Sequence, residues 1–310
     1  MSQSNETPAF DVRDLRMRYE TKDVLAGVTF SARRGEVLAL HGPNGAGKTT
    51  TIEILEGFRA RSAGDVSVLG VDPARGDEAW RARLGVVLQS WRDHPRWTPR
   101  RLLDQLGGYY APYSTPQRER PYDVDRLLET VGLAQLADRK IGTLSGGQRR
   151  RLDVAVGIIG RPELLFLDEP TAGFDPQARR EFHQLVQDLA EREHTTILLT
   201  THDLDEAEKL AHRVLILAAG RIVADDKVNG LSDRVAGQAE ITWSRGGERF
   251  SSAAADGTAF VRQLLSDHDD IANLEVRRPS LEDAYLTLVQ QHEAGHVDAA
   301  AKLFADEVTA

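Results

Sequence analysis

Short apolar runs separated by longer polar stretches with helical spacing form the main pattern along this chain. Val37–Leu40, Leu164–Leu167 and Thr195–Leu199 are long enough to be buried strands and too short to be buried helices. Strands that alternate with helices usually form a parallel sheet whose faces are covered by those helices. The pattern therefore predicts an α/β core with a largely parallel sheet.

A second pattern occupies residues 10 to 40, where apolar and polar positions alternate and the pairs Ala26-Gly27 and Arg34-Gly35 mark turns. This alternation predicts antiparallel strands that lead into the core. A closing hairpin is predicted over Val214–Ala224. Further strands are predicted at Val66–Leu69 and Leu84–Leu88.

Residues from about 91 to 160 open with tryptophans, prolines and arginines and then carry helical patterns, as in Val124–Gly132. We predict a helical subdomain here. After about residue 233 the pattern weakens to one candidate strand, Ile241–Trp243, and a helix-capping box, Ser280–Asp283. The predicted organisation is a flexible tail at residues 1–9, a core domain at 10–232 and a small α+β accessory region at 233–310.

The bulk composition narrows the classes of function. The chain has 310 residues, of which 41% are hydrophobic, which suits one large and one smaller domain. Its net charge of −9 argues against a broad nucleic-acid surface, and the absence of cysteine excludes disulfides and cysteine–zinc sites. No apolar run approaches the ~20 residues that cross a bilayer, so we expect any membrane role to come through partners.

The stretch from Gly42 to Thr49 fits the phosphate-binding pattern G-x-x-x-x-G-K-[ST] at every fixed position. Its glycines let backbone N–H groups turn toward phosphate oxygens, Lys48 adds a positive charge, and the Thr49 hydroxyl suits Mg²⁺. A buried strand precedes it and a predicted helix, Thr49–Leu55, follows it, so the helix dipole also favours phosphate. The context that the motif requires is present.

Two further stretches carry residues that suit the binding of a metal ion or an anion. The apolar run Leu164–Leu167 is followed by two carboxylates, Asp168 and Glu169. In a chain that carries a phosphate loop earlier in its sequence, Asp168 would suit a Mg²⁺ ligand and Glu169 a residue that polarises the attacking water. Ser145 and the two glycines after it precede a helical segment and predict a second anion-binding helix N-terminus. One triphosphate cannot easily use two such loops about a hundred residues apart in one chain. We therefore expect two chains to meet head to tail, each supplying this loop to the other's nucleotide.

These motifs, in this order, resemble those of ABC transporter ATPase domains over residues 10 to about 230. Leu144–Gln148 resembles the signature motif, Gly42–Thr49 the Walker A loop and Leu164–Asp168 the Walker B strand. Tyr19 is similar to the adenine-stacking aromatic residue, Gln89 to the Q-loop and Thr200–Asp203 to the H-loop switch. Gly173–Pro176 is similar to the D-loop, with Phe174 where leucine is more usual. The resemblance implies a P-loop NTPase core with an antiparallel β subdomain and a signature-bearing helical subdomain.

The resemblance also implies roles in hydrolysing ATP to ADP and phosphate with Mg²⁺. The metal ligands would be Thr49, Gln89 and Asp168, and the catalytic residues Glu169 as general base with His202 and Gln89. Tyr19 would stack on adenine. The residues around the phosphates would be Gly42, Pro43, Asn44, Gly45, Ala46, Gly47, Lys48, Thr49, Thr50 and Asp168. The residues that act across the dimer would be Ser145, Gly146, Gly147, Gln148 and Asp175.

Simpler interpretations stand beside several of these roles. Tyr19 could cap a sheet edge, Gln89 could be a solvated loop residue, and His202 could be structural. Arg149–Arg151 is interpreted as a mostly solvated helix face and not as a nucleic-acid patch. Trp91 and Trp97 could contact a membrane subunit or pack within the helical subdomain.

Three short stretches, Thr201–Leu210, Gln148–Asp153 and Pro279–Leu286, are similar to drug-resistance and daunorubicin-type exporter ATPases. This branch implies two ATPase subunits, identical or closely related, bound to separate integral membrane permease subunits at the cytoplasmic face of the membrane. The cargo would be a drug-like or other small hydrophobic compound, with import or lipid and polysaccharide transport as alternatives. A non-transport ABC ATPase acting on nucleic acid or ribosomes is disfavoured by the single cassette, the short motif spacing and the lack of cysteine.

Overall fold

The computed structural model describes residues 7–87, 94–171, 173–228, 239–254 and 256–277. The chain divides into two compact units, Met1–Ile222 and Val223–Ala310. The helices of the described residues are α1 (Lys48–Leu55), α2 (Glu78–Arg81), α3 (Pro99–Tyr110), α4 (Val124–Thr130), α5 (Gly146–Ile158), α6 (Pro176–Glu191), α7 (Leu204–Leu210) and α8 (Gly257–Asp267). Short 3₁₀ turns lie at Pro73–Arg75, Ala111–Tyr113, Ala134–Leu136 and Ile141–Thr143.

The α/β core contains a six-stranded sheet with a parallel centre. Its order is β5-β6-β7-β3-β8-β9, and each of the four pairs from β5 to β8 is parallel. The central strands are almost completely buried because both faces are covered, which explains their continuous apolar sequence. These strands are β3 (Val37–His41), β5 (Leu84–Val87), β6 (Leu164–Asp168), β7 (Thr196–Thr201), β8 (Arg213–Ala218) and β9 (Arg221–Lys227). The predicted parallel core is confirmed.

An antiparallel sheet of three strands, in the order β2-β1-β4, forms the predicted β subdomain. The strands are β1 (Phe10–Tyr19), β2 (Lys22–Ala32) and β4 (Ala63–Val68). Phe10 packs edge-on against Phe30 with ring centroids 5.5 Å apart. The sequence placed Ala9 in the N-terminal tail, whereas in the structure its N–H donates to the carbonyl of Ala32 and its side chain is fully buried.

Helices α3, α4 and α5 form the predicted signature-bearing helical region. Each begins at a residue whose side chain accepts a hydrogen bond from the first turn: Thr98, Asp123 and Ser145. The sequence predicts a mostly solvated helix face at Arg149–Arg151, and this prediction is wrong for Arg150. Arg150 is only 6% exposed, because α5 is buried along most of its length and consecutive helical residues point about 100° apart.

A groove of about 650 Å³ lies between the α/β core and helices α3 and α5. Its walls are largely apolar and aromatic and include Phe58 and Tyr109. Glu56, which follows α1, also lines it, and its Oε1 atom is buried without a hydrogen-bond partner among the described residues. Burial, with smaller contributions from the charges of Asp168 and Glu53, raises the pKa of Glu56 to about 8.

The second unit contains a three-stranded antiparallel sheet in the order β11-β10-β12, together with α8. Trp243 stacks on Phe250 and lies 5.9 Å from Phe260 of α8, measured between ring centroids. The strands are β10 (Ala239–Arg245), β11 (Glu248–Ala254) and β12 (Ala272–Arg277). The predicted capping box at Ser280–Asp283 and the stretch 290–310 lie outside the described residues.

Candidate functional site

The phosphate loop runs from the end of β3 to the start of α1, in the strand–loop–helix context that the sequence predicts. Gly47 is the N-cap of α1 and has φ 109°, a conformation that glycine adopts without strain. A Cβ atom at Gly47 would also lie 2.6 Å from Cδ2 of Leu25, and one at Gly42 would lie 2.2 Å from the carbonyl oxygen of Leu217. Neither position can carry a side chain without moving its neighbours.

Lys48 is the buried cation of this loop. Its ammonium donates to the carbonyl oxygens of Gly42, at 2.7 Å, and Pro43, at 3.2 Å. Burial lowers the pKa of Lys48, while the nearby carboxylates of Glu169 and Asp168 act in the opposite direction. The loop therefore holds a positive charge at the N-terminus of a helix, where the dipole also attracts anions.

Asp168 lies at the end of β6, directly opposite Thr200 in the parallel register with β7. Its Oδ1 atom accepts a 2.5 Å hydrogen bond from the Thr200 hydroxyl, and its Oδ2 atom lies 3.5 Å from the hydroxyl of Thr49. A carboxylate and a hydroxyl this close offer two oxygen ligands, the type that Mg²⁺ prefers, with space for water to complete the shell. The donor set therefore fits Mg²⁺ and not a soft transition metal.

Glu169 follows Asp168 directly in the chain. Its φ of 46° lies in the left-handed region that residues other than glycine seldom adopt. Its N–H donates to the carbonyl and the hydroxyl of Thr200, at 3.2 and 3.1 Å. Its Oε1 atom lies 3.3 Å from Nδ1 of His202, which is 65% exposed at the end of β7. The two strand ends thus bring an acid and an imidazole together.

A pocket of about 440 Å³ joins these groups. Its acidic end holds Asp168 and Glu169, and Tyr19 lies in its wall with Arg59 packed over the ring, 5.2 Å from the centroid. The predicted site residues that line it are Tyr19, Asn44, Gly45, Gly47, Lys48, Thr49, Thr50, Asp168 and Glu169. Gly42 and Pro43 contact the pocket through Lys48, and Ala46 is buried behind the loop.

The signature residues are not part of this pocket's wall. Ser145 caps α5 through a reciprocal pair of hydrogen bonds, in which its hydroxyl accepts from the N–H of Gln148 and its own N–H donates to the Gln148 side chain. A Cβ atom at Gly146 or Gly147 would meet nothing within 4 Å. The loop therefore presents an open surface on the described part of the chain.

Three other predicted residues lie apart from the pocket or outside the described part. Asp175 caps α6 by accepting from the N–H groups of Gln177 and Ala178, while the neighbouring Phe174 packs against Phe182. Gln89 and Trp91 lie outside the described residues, so their predicted roles have no geometry here.

Three residues that contribute to the site have no role predicted from the sequence. Lys22 and Val24, on β2, line the pocket beside Tyr19, and Thr200 anchors both acids. A signal for Thr200 was present, because two neighbouring parallel strands end together and place Thr200 beside Asp168. Nothing comparable marked Lys22 or Val24, whose place depends on how β2 passes over the loop.

The sequence is similar to those of known ABC transporter proteins. The profile of the ABC transporter family matches residues 25–172. Daunorubicin resistance ATP-binding protein DrrA2 of Streptomyces coeruleorubidus is 35% identical over 302 residues, covering 88% of this chain and 92% of that protein. Nod factor export ATP-binding protein I of Ralstonia nicotianae is 41% identical over 227 residues, covering 73% and 69%.

Solved structures show the same likeness. The ATP-binding subunit of an ABC transporter superposes with a TM-score of 0.62 at 27% identity, covering 73% of this chain and 92% of that one. An ATP-binding cassette of an ABC transporter in its ADP conformation gives a TM-score of 0.61 at 25% identity, covering 71% and 91%. The P-loop NTPase fold predicted from the sequence is therefore confirmed. This chain belongs to the ABC transporter family and is one of its ATP-binding, ATP-hydrolysing cassettes.

Proposed function

We propose that the chain is the ATPase subunit of an exporter, in which ATP binding and hydrolysis drive transport through separate membrane subunits. The observation that carries this proposal is the convergence of Lys48, Thr49, Asp168 and Glu169 on one pocket, with His202 against the outermost acid. Export is favoured because the relatives described above are named for daunorubicin resistance and Nod factor export.

ATP would lie with its adenine on Tyr19 and its phosphates on the backbone N–H groups of the loop. Lys48 would exchange its loop carbonyls for phosphate oxygens, an exchange of neutral for charged acceptors that favours binding. Thr49 and Asp168 would hold Mg²⁺, with Gln89 as a further ligand, and the metal would neutralise charge on the phosphates. The chain thereby binds and orients the nucleotide before any bond breaks.

Glu169 would act as the general base for in-line attack by water. Its carboxylate would accept the water proton, and its fixed backbone would keep that carboxylate at the mouth of the phosphate loop. His202 would orient Glu169 through the Nδ1–Oε1 contact and reach the γ-phosphate with its other nitrogen. Positioning and charge stabilisation supply most of the rate enhancement in this class of reaction.

A second copy, or a close paralogue, would complete each site. The signature loop is exposed and does not contribute to the pocket of its own chain, so its helix N-terminus is available to the γ-phosphate of a partner. Ser145, Gly146, Gly147 and Gln148 would contact that phosphate, and Asp175 would join the two sites across the interface.

The described helices are all too short or too polar to cross a membrane. We infer that separate integral subunits form the transport path and that this chain binds them at the cytoplasmic face of the membrane. The cargo that fits the exporter branch is a drug-like or other small hydrophobic compound. Affinity purification of the tagged chain from membranes, followed by mass spectrometry of integral proteins, tests the assembly; recovery of a second ATPase without any integral subunit would contradict it.

The catalytic assignment is tested with Glu169→Gln. Because a general base contributes ~10²–10⁴-fold, we expect turnover to fall by that factor while ATP binding is kept. Size-exclusion chromatography with Mg-ATP should show a stable dimer of this variant. Asp205→Asn removes a carboxylate from α7 outside the pocket and serves as the control. Normal hydrolysis by Glu169→Gln, with the fold intact by circular dichroism, would refute the role of Glu169.

A further inference from the structure

Arg150 is a buried cation in the signature helix. Its side chain leaves α5 five residues after the N-cap Ser145 and turns toward the strand end that carries the two acids. The guanidinium donates to three successive carbonyl oxygens: Nε to Pro170 at 2.8 Å, and Nη2 to Asp168 at 3.1 Å and to Glu169 at 3.2 Å. One side chain therefore holds the whole turn that follows the strand.

This turn contains Glu169, one of the described non-glycine residues whose backbone lies in the left-handed region. Glu169 has φ 46°, and the direction of its side chain depends on that conformation. Thr200 holds the peptide on its N–H side, through the hydrogen bonds described above. Arg150 holds it on its carbonyl side, so the two contacts together fix the peptide units before and after the Glu169 α-carbon.

The guanidinium is suited to this position. Its planar fork can donate in several fixed directions at once, and it stays protonated in a buried place. Burial lowers the pKa of Arg150, while the carboxylates of Asp153, Asp168 and Glu206 oppose that change. Glutamine at this position would supply fewer donors and no charge, and it would leave buried carbonyl oxygens with fewer partners.

We propose that Arg150 is a positioning residue for ATP hydrolysis, which fixes the backbone of Glu169 and ties it to the signature helix. The inference rests on the proposed role of Glu169 as the base. It adds a physical link between the two functional ends of one subunit. The helix that presents Ser145 to the partner's nucleotide also anchors the acid of its own site, through one residue.

The test compares Arg150→Gln and Arg150→Lys with Arg149→Gln in the full-length chain. Arg149 is the matched control because it is the neighbouring arginine on α5 and pairs with Asp153 of the same helix. Since a misplacement of about 1 Å costs roughly 10²-fold, we expect Arg150→Gln to lower kcat by about 10- to 100-fold. KM and the affinity for a fluorescent ATP analogue should be unchanged. Arg150→Lys should have an intermediate kcat, because an ammonium replaces the charge but not the fork.

A double-mutant cycle separates positioning from general damage. If Arg150 acts through Glu169, then Arg150→Gln should add no further loss of kcat to the Glu169→Gln variant. Wild-type turnover by Arg150→Gln or by Arg150→Lys would overturn the inference. An equal, independent loss in the Glu169→Gln background, or a parallel fall in ATP affinity, would also overturn it.

The same experiments distinguish this inference from the proposed function. If Glu169→Gln hydrolyses ATP normally, the assignment of the base fails. If Glu169→Gln is inactive and Arg150→Gln is active, only the positioning role fails. Should Arg150→Gln not fold, Arg150→Lys decides the matter, since it keeps the buried charge and is expected to lose turnover without losing nucleotide affinity.

Discussion

Replacing Glu56 by glutamine is expected to stabilise the protein and to remove part of the pH dependence of its stability. Glu56 lines the groove between the core and helices α3 and α5, where its Oε1 atom has no hydrogen-bond partner among the described residues. The surroundings therefore favour its neutral form, and glutamine has nearly the same shape without the charge.

The magnitude follows from the pKa of Glu56, which burial raises from 4.5 to about 8. Between these values the folded state binds more protons than the unfolded state, so stability falls as pH rises, by about 1.4 kcal/mol per pH unit. The destabilisation caused by Glu56 is smallest below pH 4.5, where its carboxyl is neutral in both the folded and the unfolded state. It grows as pH rises and reaches its full size once pH has passed through about 8. From pH 6 to pH 8 the expected loss is about 2 kcal/mol, because the proton difference shrinks near the upper pKa.

Urea titrations followed by circular dichroism at pH 6, 7 and 8 measure this effect. The quantity to compare is the free energy of unfolding of Glu56→Gln minus that of the wild type, which should grow by about 2 kcal/mol over this range. Glu129→Gln is the control, because Glu129 is an exposed carboxylate on α4 that does not line the groove. A difference between Glu56→Gln and the wild type that stays constant across the three pH values would refute the reasoning.

Two other substitutions probe the proposed nucleotide pocket. Lys48→Ala removes the buried cation of the phosphate loop. It should weaken ATP binding by at least about tenfold, because a charged hydrogen bond contributes about 1.5–3 kcal/mol. Unchanged affinity in a fluorescent nucleotide titration would contradict this prediction. Thr200→Val keeps the shape of the side chain but removes the hydroxyl shared by Asp168 and Glu169, so kcat should fall by about tenfold with ATP affinity retained. Steady-state ATPase assays check the second prediction, and Thr195→Val, on a buried threonine away from the pocket, is its control.

The residues of the phosphate loop could be recognised from the sequence because their pattern is local. A phosphate loop needs particular residues at fixed spacing, and Gly47, Lys48 and Thr49 lie next to one another in the chain as they do in space. Asp168 is predictable for a similar reason, since it ends an apolar strand and parallel strands end at a common edge.

The residues that support the site depend on tertiary packing and were harder to predict. Arg150 belongs to a run of three arginines, and such a run usually indicates a solvent-exposed surface. Because α5 is buried along most of its length, one of the three side chains must point inward. Glu56 has an ordinary helical context, and only the approach of α3 and α5 closes the groove around it. Such features require knowledge of which surfaces meet.

Gly146 and Gly147 show how folding and assembly can set opposite demands on one loop. Neither glycine has a neighbour within 4 Å of its missing Cβ atom, and alanine favours a helix over glycine by about 1 kcal/mol. Selection for heat resistance of the isolated subunit would therefore enrich alanine here. Under the proposed head-to-tail arrangement, the added methyl groups would obstruct the approach of the neighbouring nucleotide. Thermally more stable subunits obtained in this way would not support ATP turnover. A thermal-stability screen without a turnover assay would nevertheless select them.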